Sequence, residues 1–319
     1  MEIISHHAIG IDIGGTTTKL ALINTSGEIH TIKTIPTEGQ TGTEVYITNL
    51  IDETEQLIEV ATAAGFSLQG IGISVAGFID PDHTKMVFNP NIPALVDYPL
   101  TPIFEQRFQM PVNLEVDSNS ATLGEYQYGA GRGSQRFLCL AIGTGVGGGM
   151  TIGGHLLRFS YECMGDMGHV IVEPGGPPCN VGCRGCAEAM ISAPAVVQRA
   201  ERGLSTQPGS ILHKLIVEKG NLNAQDVIEA ARQGDTFSVS VIARTGQWLG
   251  VALASLVPLF LPDCIAIAGG VSEAGDLLLK PARRNFRANS GHFYHENVKV
   301  RKAKLGWKAT VLGAAAVYL

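Results

Sequence analysis

The sequence predicts an α/β chain built from two related halves, and three observations carry this. Short apolar strands alternate with segments of helical period along the whole length. A strand, a Gly/Thr turn and a second strand occur near the start, at 8–24, and return at 136–152. A third apolar strand, 264–268, leaves through Gly269-Gly270-Val271-Ser272. A hairpin used twice suggests two halves, each offering a phosphate-cradling turn to a shared cleft.

The elements follow in order. AIGIDI at 8–13 reads as a strand with one carboxylate, Asp12, inside it. It runs into Gly14-Gly15-Thr16-Thr17-Thr18-Lys19, then a second strand at 20–24. A Gly/Thr turn can aim backbone N–H and hydroxyl groups at an anion, and a buried carboxylate needs a partner. Helical spacing predicts a helix over 43–64, then a strand at 70–75 that ends at Ala76-Gly77. A loop around Pro90-Asn91-Ile92-Pro93 leads to a short helix at 102–108 and a strand at 112–116. Asp117 stands where that strand meets a helix predicted over 120–129. Ligands bind at the carboxyl ends of strands in open α/β sheets, so Asp117 is placed for chemistry; helix N-capping is the plainer role for it.

The strand at 136–142 enters GTGVGGG at 143–149. Helices are predicted over 188–202, interrupted at Ala193-Pro194, and over 210–219, 224–232 and 235–261, the last broken near Pro258. After the strand at 264–268 come a helix at 277–288, a short exposed strand at 298–302 and a small-residue helix at 309–319. The Gly pair 269–270 would let a nucleotide base or ribose approach the backbone.

After the second hairpin comes GHVIVEPGGPPCNVGCRGCAE at 168–188. It holds three of the six cysteines, Cys179, Cys183 and Cys186, with His169 close by. Cys183 and Cys186 are a CxxC pair, and with Cys179 and His169 they complete the tetrahedral N/S set that structural Zn²⁺ prefers. Three unrelated thiols, or a redox pair, are the alternative. A segment so rich in Gly and Pro has no core of its own, which favours zinc.

Composition narrows the function. The 319 residues are 45 % hydrophobic and 16 % charged, with net charge −6. Nothing basic marks a nucleic acid or an anionic membrane as partner. The longest apolar run, about 251–261, is too short for a bilayer and contains Pro258, and residues 1–7 lack the form of a signal peptide. A reducing cytoplasm is the expected compartment. There is no GxxxxGK[ST]; GxGxGGG precedes a strand rather than a helix, which rejects a Rossmann site; GxSxG, HExxH and EF-hand patterns are absent.

DIGGTTTK, the junction Asp117, GTGVGGG, GDMGH with its Cys cluster ending in Glu188, and AGGVS, in that order, resemble the ROK family. That family holds glucokinase-like enzymes, N-acetylhexosamine kinases and sugar-responsive repressors, and the likeness runs from about Ile9 to Leu319. It implies an actin-like (ribonuclease H-like) fold of two α/β domains around a cleft that holds ATP and sugar. The small domain would be 1–117, with the helix at about 306–319 packing back on it; the large domain would be 118–305, with the zinc loop 169–186. Asp12, Gly14, Gly15, Thr16, Thr17 and Lys19 would sit around the ATP phosphates and their Mg²⁺. Thr144, Gly145 and Gly147 would form the second phosphate turn, and Gly269 and Gly270 would line the adenosine site. Asp117 matches the base that takes the proton of the attacking sugar hydroxyl. Asp166, His169 and Glu188 match sugar contacts, Gly77 and Asn91 border the sugar, and His169, Cys179, Cys183 and Cys186 hold zinc. A homodimer is implied.

Three departures bear on this. Val116 replaces an Asn that hydrogen-bonds sugar hydroxyls. Asp166 replaces a Glu. CNVGCRGCAE replaces CxCGxxGCxE, so Val181 stands at the second Cys and Cys183 is extra. The expected activity is transfer of the ATP γ-phosphate to a hexose hydroxyl. The acceptor is open among glucose, amino sugars, N-acetylhexosamines, fructose, mannose and cyclitols, and the donor between ATP and polyphosphate. A sugar-binding regulator without turnover is the reading of another class. Repressors of the family carry an added N-terminal DNA-binding domain, and with Asp12 so early none is expected here.

Overall fold

β-branched runs punctuated by glycine form the strands of two five-stranded sheets in this computed structural model, which describes residues 5–37, 42–89, 92–158 and 166–319. The elements are β1 His6–Ile13, β2 Thr17–Asn24, β3 Ile29–Pro36, α1 Thr43–Ala63, β4 Ser67–Val75, β5 Phe78–Ile79, β6 Met86–Phe88, α2 Leu100–Phe108, β7 Val112–Val116 and α3 Asp117–Tyr128. There follow β8 Arg136–Ile142, β9 Val146–Ile152, β10 His155–Leu156, α4 Ala187–Ile191, α5 Ala193–Leu204, α6 Leu212–Lys219, α7 Ala224–Arg232 and α8 Thr236–Phe260. The chain closes with β11 Cys264–Ala268, α9 Asp276–Asn289, α10 His292–Glu296, β12 Lys299–Lys302 and α11 Lys308–Ala316.

The chain divides into two compact units. The first comprises the described residues of Met1–Gly133, Gly149–Gly165 and Lys304–Leu319; the second comprises Ser134–Gly148 and Asp166–Ala303. The boundary falls within β9.

In the first unit the sheet order is β3-β2-β1-β4-β7. β1, β2 and β3 form an antiparallel meander, and β4 and β7 run parallel to β1. The period of two along β1 divides its side chains between the faces. Ile9, Ile11 and Ile13 enter a core with Tyr46, Leu50 and Leu57 of α1. Ala8 packs on the other face with Val311, Leu312 and Ala315 of α11. Gly10 and Gly72 bring that helix onto the bare sheet, since a Cβ on them would lie 2.1 Å from the Val311 carbonyl oxygen and 1.8 Å from that of Ala314.

A buried carboxylate ties α3 to the entry of α11. Glu125 Oε2 accepts from the Ala130 N–H at 2.7 Å, and Oε1 accepts from Lys304 and Leu305 at 2.8 and 2.7 Å. Glu125→Ala removes a fully buried carboxylate that accepts three amide hydrogen bonds. It is expected to lower unfolding free energy by about 3 kcal/mol, read from the urea midpoint.

In the second unit β8, β11 and β12 run parallel, so the exits of β8 and β11 lie at the same edge. α8 packs on α9 through glycine, with a Cβ on Gly246 or Gly250 falling 2.3 or 2.5 Å from the carbonyl oxygens of Leu278 and Ala282. α8 differs from its expected form. It continues past Pro258 to Phe260 and ends on Leu261 in the left-handed region at φ 46°. Its 25 residues meet the length and apolarity of a membrane span, a property the apolar run 251–261 alone did not reveal. More than half of its most apolar stretch is buried inside the protein, which is how a core helix passes the same test. β12 pairs with β11 and buries Val300, so that segment is an edge strand with one inward side chain rather than simply exposed.

Candidate active site and metal centre

Asp12 lies on β1 opposite Lys19 of β2, on the face that carries α11. Burial pushes its carboxyl above the ordinary value, against a Thr310 hydrogen bond and the Lys19 charge, which lower it. The turn beyond it closes through the Gly14 N–H on the Thr17 carbonyl at 3.2 Å, leaving Gly15, Thr16 and Thr17 exposed. Thr18, next in line, points the other way. It is fully buried and shares short hydrogen bonds with Thr37 and Tyr46, at 2.7 and 2.6 Å. The three threonines therefore divide between site and core. Lys19 Nζ sits 5.8 Å from the centre of the Trp307 ring, a cation–π distance.

Asp117 opens α3 directly from the end of β7, three residues before the predicted helix start. Val116 occupies the N-cap position, so Asp117 is not the cap; its Oδ1 accepts the Ser118 N–H at 2.7 Å. Burial raises its carboxyl to about 6, the charge of Asp12 adds to the rise, and the Ser118 N–H opposes it. A carboxyl held there is ionised at neutral pH yet basic enough to take a proton. Beneath it Glu115 is fully buried, paired with Arg158 and hydrogen-bonded by Asn119 Nδ2 at 2.8 Å. Val116 packs in the apolar core at 5 % exposure. Gly77 takes φ 105°, and a Cβ there would lie 2.1 Å from the Phe88 carbonyl oxygen, so the backbone itself requires glycine. Asn91 lies outside the described residues.

In the second unit the turn after β8 closes through the Gly143 N–H on the Gly145 carbonyl at 2.9 Å, with Thr144 exposed at its tip. Gly269 follows β11 at φ 82°, against the Ile142 backbone, where a Cβ would come within 2.4 Å. The space above Gly270 is open. Thr144, Gly145, Gly147, Gly269 and Gly270 thus share one sheet edge.

His169, Cys179, Cys183 and Cys186 converge, with one ligand atom from each all within 4.8 Å of one another. His169 Nδ1 is 3.5 Å from Cys183 Sγ and 3.7 Å from Cys179 Sγ. A tetrahedral zinc with ordinary bond lengths sets its N···S edges at about 3.5 Å, so the donor set fits. The other ring nitrogen, Nε2, lies 3.2 Å from Asp166 Oδ2, a carboxylate positioned to orient a metal-bound imidazole. Cys183 lies 3.0 Å from Cys179 and hydrogen-bonds it, which holds the Cys179 thiol below its ordinary value and Cys183 above. Val181 is 68 % exposed and turned away. The loop is shaped by Gly185 at φ 68°, where a Cβ would strike the Glu173 carbonyl oxygen at 1.7 Å. Glu173 accepts from Trp248 Nε1 at 2.8 Å, and Arg199 and Arg244 each lie over the Trp248 ring, anchoring the loop to α8.

Glu188 stands on α4, two residues past Cys186, and its Oε2 accepts the Val146 N–H at 3.1 Å. Sequence reasoning placed it on the sugar and missed this bond. It also missed the Glu115–Arg158–Asn119 group behind Asp117, for which the lone acidic residue in an apolar strand was the available signal.

The model of the ROK family matches residues 8–319. A glucokinase of Halalkalibacterium halodurans is 38 % identical across 96 % of this chain and 92 % of its own length. A Thermotoga maritima glucokinase is 35 % identical across 97 % and 96 %. The xylose repressor of Bacillus subtilis, 27 % identical, aligns over 85 % of this chain and 66 % of its own. Among solved structures, a ROK family glucokinase of Streptomyces griseus in complex with glucose and AMPPNP superposes with TM-score 0.78 at 33 % identity, covering 98 % of this chain and 99 % of that one. The ROK hexokinase of Thermus thermophilus gives 0.79 at 28 %, covering 98 % and 97 %. The architecture is the actin-like two-domain fold of these kinases. With the match running from β1 through α11 and taking in every motif of the site, the chain belongs to the ROK family.

Proposed function

We propose that the protein is an ATP-dependent hexose kinase, transferring the γ-phosphate to a sugar hydroxyl with Asp117 as general base. The observation that carries this is Asp117 at the carboxyl end of β7, its carboxyl raised to about 6 beside Asp12. Relatives named glucokinase along the whole chain support the reaction class.

Phosphoryl transfer requires in-line positioning, neutralisation of phosphate charge and a place for the proton. In this reading Asp12 and the 14–17 turn face the phosphates and the Mg²⁺ that accompanies ATP. A carboxylate that burial disfavours as a lone anion is suited to a cation. Thr144, Gly145 and Gly147 form the second phosphate turn, and Gly269 and Gly270 border the adenosine. Asp117 takes the proton as the sugar oxygen attacks the γ-phosphorus and the bond to the β-phosphate oxygen breaks, leaving ADP. Gly77, Asn91, Asp166, His169 and Glu188 border the sugar. Zn²⁺ would be held by His169, Cys179, Cys183 and Cys186, a closed set whose service is to hold the 166–188 wall in shape. Thiolate ligation by Cys179, Cys183 and Cys186 fits a reducing cytoplasm.

The acceptor is where the chain has its own character. Val116 lies in the core and offers no hydrogen bond to a hydroxyl. A coupled ADP-release assay over glucose, mannose, fructose, amino sugars, N-acetylhexosamines and cyclitols tests the function. ADP release that depends on a hexose is expected. Release by none of them would refute the kinase and leave a sugar-binding regulator.

A further inference from the structure

We infer that Glu188 is a positioning residue that ties the metal centre to the second phosphate turn, so that metal loading sets affinity for nucleotide. The inference rests on reading 143–147 as that turn.

The connection is short. Cys186, one of the four metal-ligand candidates, is also the N-cap of α4, its Sγ accepting the Ala189 N–H at 3.4 Å. Glu188 is two residues on, in the first turn of the same helix. Its Oε2 accepts the Val146 N–H at 3.1 Å. The same segment holds the turn at a second point, where the Ala193 N–H donates to the Gly143 carbonyl at 2.8 Å. Between them the Gly143–Gly145 hydrogen bond closes the turn that presents Thr144. Glu188 also packs over Gly145, where a Cβ would lie 2.6 Å from Oε2. Thr144, Cys179, Asn180 and Glu188 line one small cavity of about 80 Å³, so the metal loop and the turn share a wall.

A helix of five residues cannot absorb a shift at its first end before Glu188. Loss of the ion frees Cys186, moves the start of α4 and withdraws the acceptor that orients Val146. The carboxylate's charge itself works against a nearby phosphate, so its contribution is positional. A glutamine keeps the acceptor oxygen without the charge.

The test is titration calorimetry with Mg-AMPPNP in the absence of sugar, with metal content measured on each sample. Stripping the metal from the wild-type protein is expected to weaken binding about tenfold, the scale of one lost hydrogen bond. Glu188→Ala with metal bound weakens it by a similar factor, and stripping that variant adds less than about twofold. Glu188→Gln keeps both the affinity and the response to metal. Equal losses on stripping with and without the Glu188 side chain would overturn the coupling. Should the stripped protein lose its circular dichroism, Gly145→Ala carries the test, because its methyl displaces Oε2 and leaves the ligands alone. It is expected to reproduce the Glu188→Ala weakening at full metal content and to add nothing to it in the double variant; full affinity in Gly145→Ala would overturn the inference. Wild-type protein that binds no Mg-AMPPNP at all would instead refute the phosphate-turn reading.

Discussion

Asp117→Asn lowers kcat by about a thousandfold and makes the protein more stable at pH 7. Both effects come from one fact, a carboxylate kept charged where burial opposes the charge. The turnover loss follows because asparagine accepts a hydrogen bond but cannot take a proton. Nucleotide binding should survive, since Asp117 meets the sugar hydroxyl and not the phosphates in this mechanism. The pH dependence follows from the same shift. As pH falls through about 6, Asp117 takes up its proton and kcat/KM falls with it. For stability the sign is reversed from the usual carboxylate. The folded-state value, about 6, lies above the unfolded value of 3.8, so the folded protein binds this proton more tightly. That stabilisation is complete below 3.8 and is lost as pH rises through about 6. At pH 7 the charged group is a burden of about 3 kcal/mol, which the neutral asparagine removes. Near-normal turnover in the variant would sink the base assignment. A stability gain that persists at pH 3 would sink its electrostatic cause.

Cys183→Ala strips the metal centre. Among the described residues the donor set is His169, Cys179, Cys183 and Cys186, and Val181 is turned to solvent. With three donors left the site cannot close, and metal content falls from about one per chain toward zero. The segment around it is built from turns, and under the proposed function the ion holds it in shape. The KM for hexose is therefore expected to rise at least tenfold, roughly, because Asp166, His169 and Glu188 all hang from it. Metal analysis and steady-state kinetics on the same preparation read this out. Stoichiometric zinc in an intact Cys183→Ala protein would show that Cys183 is not a ligand.

Where local chemistry decides the structure, the sequence was legible. Apolar strands ending in glycine, the Gly/Thr turns and the clustered cysteines lie where their patterns pointed. β3 was not anticipated. Its alternation is blurred because Ile32 faces solvent while Lys33 turns inward toward Glu53 of α1. The start of α3 was placed late because Asp117, Ser118 and Asn119 each look like caps, whereas the backbone makes Val116 the cap. The persistence of α8 through Pro258 reflects position. Near the C-terminal end few hydrogen bonds remain to be lost, and packing on α9 holds the rest. Partners brought together from distant parts of the chain were illegible for a different reason. The Thr18–Thr37–Tyr46 group, the Arg158–Glu115 pair and the Glu188–Val146 bond depend on tertiary register that no local pattern encodes.

Everything at the proposed site turns on phosphoryl transfer from ATP to a sugar hydroxyl, with Asp117 taking the proton. Its most direct test is a single-turnover reaction with γ-phosphate-labelled ATP, following the label itself. Label is expected to appear on the hexose in step with ADP, and Asp117→Asn is expected to bind the nucleotide but leave the label on ATP. Label released as inorganic phosphate at the same rate with and without hexose, or transferred equally well by Asp117→Asn, would contradict it.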